Sequence, residues 1–204
     1  MDWNEINDLL NSQIKENTDI LSGYNQIKKV LSDNNLPIPE INTNRILTEF
    51  KNWLVEVLEK EPIPKEIKSI YFGLSELSFP DIDDGKSKTT VYIAGSKFSP
   101  DEDSDWNCDT EYLPRRRYLL LDDFEIIDNL KSENGLSGNY EVLVFNGLLN
   151  LLVANVIKDL KSQFLTYKSK KFGLIETIKK RDKLSFGVGF DSGDTYLIKE
   201  LRNE

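Results

Sequence analysis

Apolar residues recur at three-to-four spacing through residues 3–32: Ile6, Leu9, Leu10, Ile14, Ile20, Leu21, Tyr24, Ile27, Val30 and Leu31. This period predicts a helix. Gly23 weakens its middle, so two shorter helices fit equally well. The stop is Asp33-Asn34-Asn35 followed by Leu36-Pro37-Ile38-Pro39. A second helix starts at Thr43 or Asn44, either of which can cap it. It carries Ile46, Leu47, Phe50, Trp53, Leu54, Val57 and Leu58 on one face and ends before Pro62 and Pro64, because proline breaks the helical ladder.

The period then changes. Ile67, Ile70, Tyr71, Phe72 and Leu74 predict one strand, and Thr89–Ala94, rich in β-branched and aromatic residues, predicts another. The turn chemistry of Asp81–Lys86 between them predicts an antiparallel pair. A third strand is expected at Arg117–Leu121. Asp122 or Asp123 would cap a short helix to about Lys131, and Gly135 and Gly138 interrupt the chain. A long helix is expected from Tyr140 to Tyr167, apolar all round in its first half and basic and amphipathic in its second, where it should surface. Leu184–Phe190 and Thr195–Ile198 flank the turn Asp191–Asp194 as a closing hairpin. The expected fold class is α+β: two N-terminal helices, a small antiparallel sheet, a long central helix and a C-terminal hairpin. Residues 1–204 form one domain, with 1–35 open to reading as a helical appendage.

Composition narrows the chemistry. The chain has no histidine, which removes the commonest general base near neutral pH and every Ser-His-Asp or Cys-His nucleophile. Cys108 is the sole cysteine, so no intrachain disulfide forms and zinc is disfavoured. The start Met1-Asp2-Trp3-Asn4-Glu5 has neither a basic region nor an apolar run, the marks of a secretory signal. Val142–Ile157 is the most apolar stretch, but it is shorter than the roughly 20 residues of a membrane span and is broken by Asn146, Asn150 and Asn155. A buried helix and a cytoplasmic location are expected.

The net charge of −9 is unevenly spread: residues 1–157 carry 15 Lys/Arg against 28 Asp/Glu, and residues 158–183 carry nine against three. An acidic body repels phosphate backbones and attracts basic partners. The basic segment, with Lys168, Lys170, Lys171, Lys179, Lys180, Arg181 and Lys183 around Tyr167 and Phe172, lacks an RNA-binding module signature and fits a solvated helix end better than a nucleic-acid site.

Other motifs fall short of their chemistry. Asp101-Glu102-Asp103-Ser104-Asp105 begins like a calcium loop, but Trp106 stands where the turn needs Gly and Tyr112 where a bidentate Glu belongs. Asp81, Asp83 and Asp84 crowd one turn instead of converging from separate strands, as a metal site requires. Gly187-Val188-Gly189 lacks the following helix of a dinucleotide fingerprint, and glycines at alternate strand positions mark close packing or a bulge. Arg115, Arg116 and Arg117 are expected to neutralise Asp101–Asp105. Within Trp106–Pro114, Trp106 can either plug the loop onto the core or anchor an interface, and Cys108 reads as a small filler.

Ile70-Tyr71-Phe72-Gly73-Leu74, Val91-Tyr92-Ile93-Ala94-Gly95, Asp105-Trp106-Asn107-Cys108, Tyr112-Leu113-Pro114 and Gly189-Phe190-Asp191-Ser192-Gly193-Asp194 together resemble small bacterial immunity proteins of polymorphic toxin systems. That resemblance implies a cytoplasmic, non-catalytic protein that binds and blocks one cognate toxin, needing no metal or cofactor. Many toxin domains are basic, so an acidic surface would speed association. Asp101, Glu102, Asp103, Asp105 and Asp109 are then the steering charges and Trp106 and Tyr112 the anchors, with Asp81, Asp83 and Asp84 as a second patch. The alternatives are a metal-dependent hydrolase using carboxylates, and a structural protein that oligomerises through its N-terminal helices.

Overall fold

A computed structural model of the chain describes residues 1–78, 87–171, 175–191 and 195–203. The N-terminal periodicity resolves into α1 (Trp3–Glu16) and α2 (Ile20–Asp33). The break falls at Asn17, which takes a left-handed conformation (φ 52°), and Asp19 restarts the helix by accepting from the Ser22 amide at 3.0 Å. Gly23 lies inside α2, where the Leu151 side chain occupies the space a Cβ would need. Helix α3 (Thr43–Lys60) is capped one residue earlier than expected, by Asn42, whose side chain accepts from the Arg45 amide at 3.1 Å.

Strands β1 (Ser69–Ser78) and β2 (Ser87–Ser96) pair antiparallel, with Ser69 opposite Ser96, and β3 (Tyr118–Leu119) is a two-residue strand on the far side of β2. In α4 (Asp122–Asn134) neither aspartate caps. Asp123 turns fully inward instead, where it accepts from the Asn42 amide at 3.0 Å and pairs with Arg45 Nη2 at 3.0 Å, tying α4 to the start of α3. Next comes a 21-residue helical run, Asn139–Asp159, made of α5 (Asn139–Glu141), a π-helical turn (Val142–Asn146) and α6 (Gly147–Asp159). The run is long and apolar enough to cross a membrane, but 83% of its most apolar stretch is buried inside the protein against α1, α2, α3 and the sheet.

The expectation of one helix to Tyr167 fails. Helix α6 ends at Asp159 with Leu160 as its cap, α7 (Lys161–Leu165) adds a short turn, and the basic segment folds as two antiparallel strands, β4 (Thr166–Lys171) and β5 (Ile175–Lys180). Thr166, Tyr167, Ile175, Thr177 and Ile178 favour extended backbone, and the lysines between them suit either element. The chain closes with the expected hairpin, β6 (Lys183–Phe190) and β7 (Thr195–Arg202). Strand β6 also pairs parallel to β1, which merges the two hairpins into one five-stranded sheet of order β3-β2-β1-β6-β7.

Helices cover one face of that sheet. Ile70, Phe72, Leu74, Val91, Ile93, Phe186 and Val188 meet α-helical residues in a single core that includes Ile6, Leu10, Ile27 and Leu31, all with no exposed surface. Helices α1 and α2 therefore contribute to this core. Tyr196 on β7 donates to Asn7 Oδ1 at 2.7 Å, and Asn155 on α6 donates to the Thr18 carbonyl at 3.1 Å, closing the same joint with polar bonds.

Candidate functional site: the acidic loop over the sheet

The other face of the sheet carries a row of aromatic rings. Tyr118, Tyr92, Tyr71 and Trp106 follow one another with centroid separations of 6.1, 6.0 and 6.1 Å. Two glycines make room for the row: a Cβ at Gly73 would strike the Tyr92 ring at 2.1 Å, and one at Gly187 would lie 2.8 Å from Trp106 Cζ2. Gly187 in β6 thus marks close packing, and a bulge falls between Phe186 and Gly187.

Trp106 reaches this row from the 97–113 loop. The neck of the loop is closed by a bridge in which the Gly95 amide donates to the Tyr112 carbonyl at 2.9 Å and the Tyr112 amide returns to the Gly95 carbonyl at 3.0 Å. Tyr112 is buried and donates its hydroxyl to the Glu61 carbonyl at 2.7 Å, and Asn107 donates to Thr195 Oγ1 at 3.0 Å. Trp106 retains only 2% of its surface and Tyr112 6%. Neither side chain is an exposed anchor: both staple the loop to the body, because an indole and a phenol bury far more apolar area against the sheet than the loop could otherwise hide.

Those staples hold the carboxylates outward. Asp101, Glu102, Asp105 and Asp109 are exposed and Asp103 is half-buried. Glu102 accepts from Lys68 at 2.6 Å and from the Ser99 amide at 2.9 Å, which together hold its carboxyl down at about 2. Asp101 lies 3.7 Å from Lys183, and Glu111 pairs with Lys97 at 3.3 Å. Asp103 accepts from the Asp105 amide at 2.8 Å, a turn within the loop. Among the described residues Asp105 and Asp109 have no cation partner. The arginines do not neutralise the loop. Beyond Pro114 the chain turns toward α3, where Arg116 pairs with Glu56, the Arg115 amide meets the Glu61 carboxylate at 2.9 Å and Arg117 stacks over Tyr118 at 4.7 Å.

Beside the loop, a cleft of about 430 Å³ is lined by Asp105, Trp106, Asn107 and Cys108 on one side and Thr195 and Leu197 of β7 on the other. Cys108 is exposed at its rim, not the small filler its type suggested. Thr195 and Leu197 escaped sequence reasoning because only the β6–β7 pairing, and its place beside β1, brings them there. Asp81, Asp83 and Asp84 lie outside the described residues. A second carboxylate cluster is already paired: Lys131 bridges Glu76 and Glu141 at 2.9 Å each, and Asp128 accepts from the Thr89 amide and hydroxyl at 2.8 Å. Burial lifts the Asp128 carboxyl above its ordinary value. This network ties α4 and α5 to the β1–β2 hairpin. Among the described residues no group of three or more His, Cys, Asp or Glu side chains is placed to hold a metal ion. Comparison with protein-family models, curated proteins and solved structures finds no match.

Proposed function

We propose that the protein is a non-catalytic binding protein whose acidic 97–113 loop docks a basic protein partner, as an immunity-type inhibitor would dock its toxin. One observation carries this reading: the loop is stapled by buried Trp106 and Tyr112 while Asp105 and Asp109 project without a cation among the described residues. A loop already fixed in shape loses little entropy on binding, so its charge is available for steering and orientation. The absence of histidine from the sequence supports the same reading.

The test is capture of partners from a lysate of the source organism at low and high salt, with the wild-type chain and with Asp103→Lys/Asp105→Lys/Asp109→Lys. The expected result is one stoichiometric basic protein, held at low salt by the wild type and lost by the variant. A partner retained equally by both chains refutes the loop assignment.

A further inference from the structure

The β4–β5 ribbon is the one part of the described chain that pairs only with itself. Its strands of six residues reach about 20 Å at roughly 3.3 Å per residue. Residues 166–180 hold five lysines and one glutamate, in a chain of net charge −9. Cross-strand neighbours share a face. The pairs Thr166–Lys180 and Lys168–Ile178 therefore lie on one face, and Tyr167–Lys179 on the other. Ile178 is 76% exposed, the most exposed large apolar side chain among the described residues, and Lys179 and Lys180 are exposed beside it. A two-stranded ribbon is marginal in water by itself, and this one presents a bulky apolar residue and cations to solvent.

Its base, by contrast, is firmly held. The Arg181 amide donates to the Leu165 carbonyl at 2.8 Å. The Arg181 guanidinium, 7% exposed, donates to the carbonyls of Ile67 at 2.6 Å, Ile63 at 2.9 Å and Pro64 at 3.2 Å, and lies 5.7 Å from the Tyr167 ring. The same joint abuts the acidic loop: Lys68, next to Ile67, holds Glu102, and Lys183, two residues past Arg181, faces Asp101. A basic patch and an acidic patch therefore sit side by side. A two-fold rotation between them lays each on the other, so such a surface is complementary to its own copy.

We propose that two copies of this chain associate through that surface, the basic ribbon of each docking on the acidic loop of the other. Lys180, on the same face as Ile178, then meets Asp105 and Asp109, and Ile178 is covered. A second copy is favoured over a polyanion because the acidic body that repels nucleic acid is what attracts the ribbon. The inference uses the same loop as the binding-protein reading, and its test involves no foreign partner, so the two can fail separately.

Sedimentation velocity across a concentration series checks it. The wild type is expected to dimerise at low salt, with its dissociation constant rising about tenfold or more on moving to high salt as the charges are screened. Lys179→Glu/Lys180→Glu and Asp105→Lys/Asp109→Lys are each expected to be monomeric and folded by circular dichroism, and their equimolar mixture to restore a dimer. A wild type that stays monomeric at low salt overturns the proposal. So does a dimer unaffected by either variant, or a mixture that fails to associate. Salt-sensitive binding of the wild type to a labelled DNA duplex or RNA, lost in Lys179→Glu/Lys180→Glu and without self-association, would assign the ribbon to nucleic acid instead.

Discussion

Replacing Trp106 with alanine tests whether the acidic loop is built onto the protein or merely drawn beside it. Burying a tryptophan removes about 150–250 Å² from water. At about 25 cal/mol per Å² that gives about 4–6 kcal/mol as an upper bound. Tryptophan truncations in cores cost about 3–5 kcal/mol, and the lower part of that range is expected here because a loop can partly collapse into the space. With a urea slope of about 2–3 kcal/mol/M, the midpoint of unfolding should fall by about 1–2 M. The geometry sharpens the test. A methyl at Gly187 would lie 2.8 Å from Trp106 Cζ2 and 2.9 Å from Thr195 Cγ2. The indole cannot bend away, so Gly187→Ala should cost about 1–3 kcal/mol as an overpacked site. Removing the ring relieves the Trp106 contacts and leaves only the one to Thr195, so the double variant Trp106→Ala/Gly187→Ala should be more stable than the sum of the two losses predicts, by more than about 0.5 kcal/mol. Hydrogen exchange at the Gly95 and Tyr112 amides should accelerate in both single variants, since the bridge at the neck opens with the staple. A loss below about 1 kcal/mol for Trp106→Ala, or an additive cycle, refutes the packing and with it the fixed display of carboxylates.

Two further perturbations probe the core and the loop. Asn150 is 1% exposed and neither amide atom has a partner among the described residues, so Asn150→Leu should stabilise the protein by about 1 kcal/mol and raise Tm by about 2–4 °C; a lower Tm would mean that the amide is satisfied by a group such as an internal water. Glu102 should give the loop an acid-sensitive component. Its folded carboxyl is held near 2, below the ordinary 4.5, so its contribution is full above 4.5 and fades as the pH falls through about 2. The difference in urea midpoint between wild type and Glu102→Gln should be constant from neutral pH down to 4.5 and shrink below it; a difference that persists unchanged toward pH 2 would contradict the Lys68 and Ser99 contacts.

Legibility differed from element to element. The two N-terminal helices and α3 were readable because each buries one wide apolar stripe, and stripe spacing is a local property. Their caps were readable only to within a residue: Asn42 serves where Thr43 and Asn44 looked as suitable, since several neighbouring side chains can accept from the same amides. The α1–α2 break was misplaced toward Gly23, because glycine signals both a weak helix and a close contact, and only Leu151 shows that the second meaning applies. The ribbon was misread for a comparable reason. Its lysines alternate loosely with Tyr167, Ser169, Thr177 and Ile178, and the pattern suits a basic helix end until Leu160 stops the helix and Arg181 fixes the return strand. Of the candidate site, the carboxylates were visible as composition, while the roles of Trp106 and Tyr112 were not, because inward and outward placement of a loop aromatic depends on what lies beneath it.

What the sequence by itself determined was the α+β class, the central apolar helix, the two hairpins and the separation of acidic and basic charge. All of these rest on periodicity, turn residues and composition, which act between near neighbours in the chain. Tertiary structure alone decided that the hairpins join through a parallel β1–β6 pairing, that Gly187 receives Trp106 and that the arginines leave the acidic loop for α3. It also decided that the base of a basic ribbon lies against that loop. These are contacts between residues far apart in sequence, fixed by which packing of the same elements buries the most apolar surface while pairing the polar groups it encloses.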